Sequence, residues 1–494
     1  AIDCYIASLP SQHRSDPART LGQILNKPSN DTDAMLTRMP EIRDDGRAHR
    51  IGRATLEGYK NQDPTVESRS TLASTRQSLQ LMESVSLCIN NREPVLLVGE
   101  TGVGKTTIVQ HLSNLMNTEL SVINLSQQSD SSDLLGGVRP VEMREIIKPI
   151  NDEFVQLFQQ IYQVAPNEQF LNKAEDLYLN SKKSSEWLVY LKVVGALCSK
   201  ALSNSLPKEM LQRWADLSTR VRRLYKRLSE DNSSPMALSF VEGTLLQAVR
   251  KGKWILLDEI NLAEPDVLQC LLLILDSLKD SHVFIECGNE KEGPIFINPK
   301  FRIFACMNPS TDIGKRDLPL GIRGRFTEFF VDDVDDVHDL RLIVESYVKT
   351  CLKPQQIESI VNFYREIRFR SNALSDVSGN TPIYSLRSLC RALVICAQNV
   401  CRNMEKSLLE SIKITFLQQL NQSSEQHVMG LIEGLIFKNS SVKQLAQLEI
   451  PMPQDNHKYI EVEKFWVQIS SQKCVNDENY ILTKTVRGNL QRIS

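Results

Sequence analysis

No stretch of this chain stays apolar for the roughly 20 residues that a membrane helix needs. The most apolar run, Val267 to Leu278, is broken by Gln269 and Asp276. No membrane partner is expected. No CxxC pair occurs among the eleven cysteines, and the group Cys390, Cys396 and Cys401 has neither zinc spacing nor a histidine beside it. Free thiols of a reducing compartment are the expectation. The seven histidines are scattered and form no HExxH, and no GxSxG elbow is present. The run Asp332, Asp333, Asp335 and Asp336 lacks EF-hand spacing and reads as a solvated turn. Charge of one sign is also missing: 58 basic residues face 60 acidic ones, for a net charge of −2. A surface that binds polyanions everywhere is thereby excluded. The chain opens on Ala1 without a signal peptide, so a piece of something longer is expected. What remains is globular in composition, with 24% charged and 41% hydrophobic residues over 494 positions. At roughly 150 residues per domain, that is about three domains' worth of chain.

Residues 1 to 48 read as a helix over Ala1 to Leu9, stopped by Pro10, and then a polar linker to Gly46. Apolar residues at Leu79, Met82, Val85 and Ile89 predict a helix over Thr75 to Asn90. Val95 to Val98 is a short apolar run between Pro94 and Gly99, the pattern of a strand buried on both faces. Ser121 to Leu125, Trp254 to Leu257 and Phe301 to Ala305 are further strand candidates, with helical patterns between them. Such alternation predicts an α/β parallel sheet over residues 49–330. Residues 137–239 carry no strand signal. Phe154, Leu157, Phe158 and Ile161, and then Met210, Trp214, Leu217, Val221, Leu224 and Leu228, follow helical spacing. A helical insertion within the core is the reading. Arg220, Arg222, Arg223, Lys226 and Arg227 crowd its last helix, either as a solvated face or as a dock for an acidic partner or RNA. Residues 331–450 are read as all-α, and 451–494 as a linker with the first helix of a further module. The last point rests on an echo: Thr75 to Gln80 (TRQSLQ) returns as Val486 to Gln491 (VRGNLQ).

The chemistry is concentrated in a few strings. Gly99-Glu100-Thr101-Gly102-Val103-Gly104-Lys105-Thr106 fits GxxxxGK[ST] between a buried strand and a helix. Glycines there let backbone N–H groups wrap phosphate oxygens, and the helix N-terminus adds positive potential. Lys105 is placed to neutralise the β- and γ-phosphates, Thr106 to hold Mg²⁺, and Thr107 belongs to the same nucleotide-binding set. Trp254 to Glu259 is a strand ending in two acids, the Walker B pattern. Asp258 is expected to support the Mg²⁺ shell and Glu259 to polarise the attacking water. Asn308, at the end of another strand, is expected to reach the γ-phosphate or that water. Gly321 to Phe326 (GIRGRF) offers Arg325, and second Arg323, as an arginine acting on a neighbour's nucleotide. Arg387, opening a helix of the α region, can lean back onto the γ-phosphate.

P-loop, Walker B, asparagine sensor, arginine finger and lid arginine in this order resemble an AAA+ ATPase module. Gln127 to Gly136 (QQSDSSDLLG), Asp258 to Ala263 (DEINLA), and Lys315 to Pro319 (KRDLP) are similar to the dynein-related and MoxR-like branch. Phe301 to Glu328 as a whole resembles the midasin family, giant ATPases of large ribosomal subunit assembly. The resemblance covers about residues 49–450 and weakens in the insertion. It implies a P-loop NTPase core with an α-helical lid, ATP and Mg²⁺ as cofactors, and adjacent AAA+ modules of the same chain forming a pseudo-hexameric ring. Residues 1–48 become the end of the preceding module's lid plus a linker, and the long insertion points to the second module. It further implies a nuclear location, in nucleolus and nucleoplasm. There the ring, coupled to a distant metal-ion-dependent adhesion domain, strips assembly factors with ubiquitin-like domains from pre-60S ribosomal particles.

Two other readings stay open. One is a self-assembling ring NTPase of the MoxR or McrB type. The other is a nucleotide-stabilised scaffold that works through its helical insertion. Light scattering separates the first from a tandem module. A 56.1 kDa monomer with and without ATP and Mg²⁺ is expected for the tandem module. A nucleotide-dependent hexamer marks the self-assembling ring.

Overall fold

A computed structural model describes residues 6–25, 28, 33–34, 36–44, 48–57, 72–161, 164–181, 184–203, 207–230, 236–278, 282–283, 295–309, 317–348, 351–438, 441–452, 459–462 and 465–468. They fall into two compact units. One holds residues 1–129, 251–279 and 298–494; the other holds 130–250 and 280–297.

The first unit is built on a five-stranded sheet: β1 (Val95–Gly99), β2 (Leu120–Asn124), β3 (Trp254–Asp258), β4 (Arg302–Met307) and β5 (Thr327–Val331). The spatial order is β5-β1-β4-β3-β2, and every pairing is parallel. β1 is buried along its whole length, as its unbroken apolar run requires. The four expected strands are all present, each within a residue or two of its expected bounds. β5 is a correction, because the sequence reading had helix as the next element. It pairs Thr327 with Val95 through to Val331 with Gly99. Two helices frame the P-loop: α1 (Arg76–Asn91), N-capped by Thr75, and α2 (Lys105–Leu115).

The linker expected up to Gly46 is corrected too. Ser15–Ile24 is a helix, and Ile42–Asp44, Ala48–Ile51 and Ala54–Glu57 form an antiparallel sheet. The buried carboxylate of Glu83 on α1 anchors that sheet. It accepts from the Arg38 guanidinium at 2.9 Å and from the Arg53 backbone N–H at 2.6 Å. Only Ile6 is helical within the described part of the helix expected over Ala1 to Leu9. The chain there lies along the sheet edge instead. Phe330 N–H donates to the Ala7 carbonyl at 2.8 Å, and Arg14 donates to Phe330 O at 2.9 Å.

The second unit is the insertion, with α3 (Met143–Ile161), α4 (Val164–Asn180), α5 (Ser184–Leu202) and α6 (Lys208–Glu230). Phe154, Tyr190 and Trp214 are fully buried in its own apolar cluster. Contrary to expectation it is not free of strands: Gly136–Glu142 pairs antiparallel with Met236–Glu242. That ribbon contains Pro140 and lacks apolar alternation, so its pairing partner, not its pattern, makes it a strand.

Back in the first unit, α7 (Pro265–Ser277) follows the Walker B strand. The all-α region holds α8 (Val337–Val348), α9 (Pro354–Phe369), α10 (Leu386–Ala397), α11 (Met404–Ile412) and α12 (Gln422–Leu435) around Phe363, Tyr364 and Phe416. α10 stops at Ala397, and Asn399 just beyond it is left-handed at φ 46°. α11 passes into a π-helical turn over Lys413–Leu417. A hairpin of Tyr459–Val462 and Phe465–Gln468 follows. The echo at Val486 to Gln491 lies outside the described residues. Among the described residues no helix is long and apolar enough to cross a membrane, and the eight cysteines described are free thiols.

Replacing Trp214 by Ala removes one of the two tryptophans buried in the insertion's core. It is expected to cost about 3–5 kcal/mol of that unit's stability, read as a lowered melting transition in calorimetry.

Candidate functional site

The site grows out of the C-terminal ends of three neighbouring strands, β1, β4 and β3. In a parallel sheet those ends open onto one edge, where loops rather than ladders set the chemistry. β1 delivers Gly99, whose closeness to β5 leaves no room for a side chain: an ideal Cβ there lies 2.4 Å from the Val331 carbonyl oxygen. Glu100, Thr101, Gly102 and Val103 make the turn. Gly102 and Gly104 sit at φ +90° and +91°, a region that L side chains avoid. Gly104 then serves as N-cap of α2, which places Lys105, Thr106 and Thr107 in its first turn.

Lys105 is 7% exposed, and such a buried ammonium must be satisfied. Its Nζ donates to the carbonyls of Gly99 at 2.6 Å and Glu100 at 2.8 Å, and to Asn308 Oδ1 at 2.9 Å. Asn308, at the end of β4, donates from Nδ2 to Glu259 Oε1 at 2.8 Å. The amide orientation follows from its neighbours: oxygen toward the ammonium, nitrogen toward the carboxylate. Three residues far apart in sequence thus form one chain of hydrogen bonds, Lys105 to Asn308 to Glu259. Glu259 holds a left-handed backbone at φ 55°. For a residue with a Cβ this costs roughly 1 kcal/mol, and outliers of this kind cluster at functional sites. Its N–H is held by Asp258 Oδ1 at 3.2 Å.

Cys306, one strand position before Met307, reports on the field of the group. Burial pushes its thiol up to about 12, and the nearby Asp258 adds to that rise. Lys105 pulls the other way, Glu259 raises it again, and a hydrogen bond from Thr106 lowers it. So Thr106 and Asp258 both stand close to the Lys105–Glu259 group.

Arg387, the second residue of α10, lies directly over the P-loop: a Cβ on Gly102 meets its backbone nitrogen at 3.1 Å and its Cβ at 3.2 Å. The two other candidate arginines are engaged elsewhere. Arg323 grips Glu328 of β5 with Nε and Nη2, at 2.7 and 2.6 Å. Arg325 pairs with Asp276 of α7.

A cavity of about 360 Å³ adjoins Gly102, Gly104 and Thr107. That is within the range of small-molecule sites. Its walls include Leu72 and Ala73 before α1, Ile343 and Tyr347 of α8, and Leu386 and Cys390 of α10. Burial pushes the Cys390 thiol up, opposed by a hydrogen bond with Tyr347. Sequence reasoning missed this wall. In helices α8 and α10 these residues carry the same apolar spacing as the core around them, and spacing does not tell a cavity face from a packed one. Lys315 and Arg316 of the KRDLP string lie outside the described residues, whereas Asp317, Leu318 and Pro319 lie within them.

The raised Cys306 value gives a chemical test. An alkylating reagent at pH 8 is expected to label the exposed Cys351 and spare Cys306, as read by peptide mass spectrometry. Early modification of Cys306 would mean that the floor of the site is open.

Comparison with known proteins agrees with this geometry. Residues 60–138 match the family model described as P-loop containing dynein motor region. Residues 201–326 match the AAA domain of the dynein-related subfamily. Residues 339–439 match the midasin AAA lid domain. Midasin of Dictyostelium discoideum is 35% identical over 486 residues, covering 90% of this chain and 8% of that protein. Midasin of Giardia intestinalis is 28% identical over 523 residues, covering 92% of this chain and 10% of that protein. An uncharacterized protein of Staphylococcus aureus is 23% identical over 224 residues, 45% of this chain and 78% of its own length. The chain spans a tenth or less of the two midasins it matches. With a P-loop core, a midasin lid and midasin relatives along nine-tenths of its length, the chain belongs to the midasin family and carries one AAA ATPase module of it.

Proposed function

We propose that this module hydrolyses ATP with Mg²⁺ as one of several tandem modules in a ring. The whole protein is read as a nuclear chaperone, of nucleolus and nucleoplasm, that removes assembly factors with ubiquitin-like domains from pre-60S ribosomal particles. The observation that carries the enzymatic part is the hydrogen-bond chain from Lys105 through Asn308 to Glu259. It joins the group that would meet the phosphates to the group that would polarise water.

In this reading the Gly99–Thr107 loop cradles the phosphates, and Lys105 exchanges carbonyl partners for phosphate oxygens. Glu259 orients the attacking water and takes up its proton. Asn308 keeps Glu259 in place and can itself touch the γ-phosphate. Thr106 and Asp258 fit Mg²⁺: a hydroxyl and one carboxylate are hard oxygen donors, and this ion is usually held by one or two carboxylates together with substrate phosphates. When bound, the ion neutralises charge on the β- and γ-oxygens. The cavity bounded by Leu72, Tyr347 and Cys390 receives the base. Arg387 closes over the P-loop from the lid.

Arg325, not Arg323, is assigned as the arginine lent to an adjacent module. Arg323 is the more buried of the two, and its partner Glu328 belongs to the sheet. Arg325 stands at the surface with an exposed partner. The ring reading draws further support from the relatives, whose length leaves room for many more modules.

Replacing Glu259 by Gln keeps the shape of the site and removes the base. ATP binding, followed by fluorescence or calorimetry, is expected to stay within about threefold. Turnover is expected to fall by roughly 10² to 10⁴. Turnover at the wild-type rate would sink the assignment of Glu259.

A further inference from the structure

Asp276 stands near the C-terminal end of α7, and α7 is the direct continuation of the Walker B strand. β3 ends at Asp258, Glu259 takes its left-handed turn, one 3₁₀ turn covers Ile260–Leu262, and α7 begins with Pro265. The Asp276 carboxylate grips Arg325 side-on. Nε donates to Oδ1 at 2.5 Å and Nη2 to Oδ2 at 3.1 Å. Nη1 donates to the carbonyl of Gly321. A guanidinium has five N–H groups in a rigid plane. Three are used here. The two that remain, one on Nη1 and one on Nη2, have no acceptor among the described residues. Pairing with the carboxylate therefore leaves N–H groups on both terminal nitrogens for a phosphate.

We propose that Asp276 is a positioning residue for Arg325, fixing the direction in which its remaining terminal N–H groups face. The proposal rests on the reading of Arg325 as the arginine lent to an adjacent module's nucleotide. An unheld arginine on the surface samples many rotamers and gives up that freedom when it meets a phosphate. Asp276 and Gly321 remove most of that freedom beforehand. The same pair also supplies a physical route between two nucleotides. A shift at Glu259 moves the start of α7, and the other end of α7 carries the group that aims Arg325. Stability is not what the pair contributes, since exposed ion pairs add little. Asp276 and Arg325 are 57% and 39% exposed at their side chains.

The test uses the full-length chain with every hydrolytic site silenced except the neighbouring one that Arg325 is read to serve. Asp276→Asn, Arg325→Ala and the double variant are compared by steady-state turnover, with melting curves as a control for folding. Asp276→Asn is expected to lower kcat about tenfold with KM for ATP within twofold, the signature of misaimed rather than missing contacts. Arg325→Ala is expected to lower kcat by roughly 10³ or more. The double variant is expected to match Arg325→Ala alone. Wild-type kcat in Asp276→Asn, beside a slow Arg325→Ala, overturns the positioning role and leaves the arginine assignment standing. A double variant slower than Arg325→Ala also overturns it, because Asp276 would then act by another route. Unchanged kcat in Arg325→Ala overturns the arginine assignment itself and the positioning role with it. Should Asp276→Asn melt early, Asp276→Ser with its own melting curve takes its place under the same criteria.

Discussion

A lysine ammonium that is buried at the mouth of a parallel sheet needs acceptors, and the arrangement around Lys105 follows from that need. Two come from the backbone of the loop that carries it, and the third is the side chain of Asn308 from the adjacent strand. Taking that bond turns the asparagine so that its nitrogen faces Glu259. The carboxylate is therefore oriented by the charge of a residue at the start of α2. The order β5-β1-β4-β3-β2 makes this possible, because it sets β4 between the P-loop strand and the Walker B strand. With any other strand in the middle, Lys105 and Glu259 would lack their link.

The same sheet order explains the division of labour along the chain. The insertion enters after β2, the outermost strand on one side, and returns before β3. It interrupts no ladder of the sheet, and it brings its own core around Trp214 and Tyr190. A hundred residues can thus be accommodated there without altering the strand ends that carry Lys105, Asn308 and Glu259. The α-helical region is likewise organised around its own apolar cluster, yet it supplies Arg387 and the Tyr347 and Cys390 wall to the nucleotide end of the same unit.

How much of this was legible in the sequence depends on the range of the interactions involved. The P-loop was legible because its geometry is local: two glycines at positive φ and a helix start lie within eight residues. β1, β3 and β4 were legible because strands buried on both faces are continuous apolar runs. β5 was not, since TEFFV is mixed in polarity and only partly buried at an edge. The small sheet of residues 42–57 was hidden for a related reason. Its strands are three or four residues long and mixed in polarity, and it is anchored by Glu83 from α1. Choosing between Arg323 and Arg325 needed the positions of Glu328 and Asp276, one five residues away in sequence and one 49 away.

The contact between Ala7 and Phe330 has a further meaning. β5 is an outer strand, and an outer strand presents unpaired N–H and C=O groups that any other extended chain can adopt. Here the Phe330 N–H is taken by Ala7 and the Phe330 carbonyl by Arg14, while Ser11 ties itself to Asp332 just beyond the strand. The first residues act as an edge guard for the sheet. A shortened protein begun at His49, where the α/β pattern starts to read clearly, would keep Lys105, Asn308 and Glu259 but lose the cavity wall at Ile6, Ala7 and Arg14, and its β5 would be open to line up against β5 of another copy. The stretch that looks most like dispensable tether is what keeps one copy of the module from zipping onto the next.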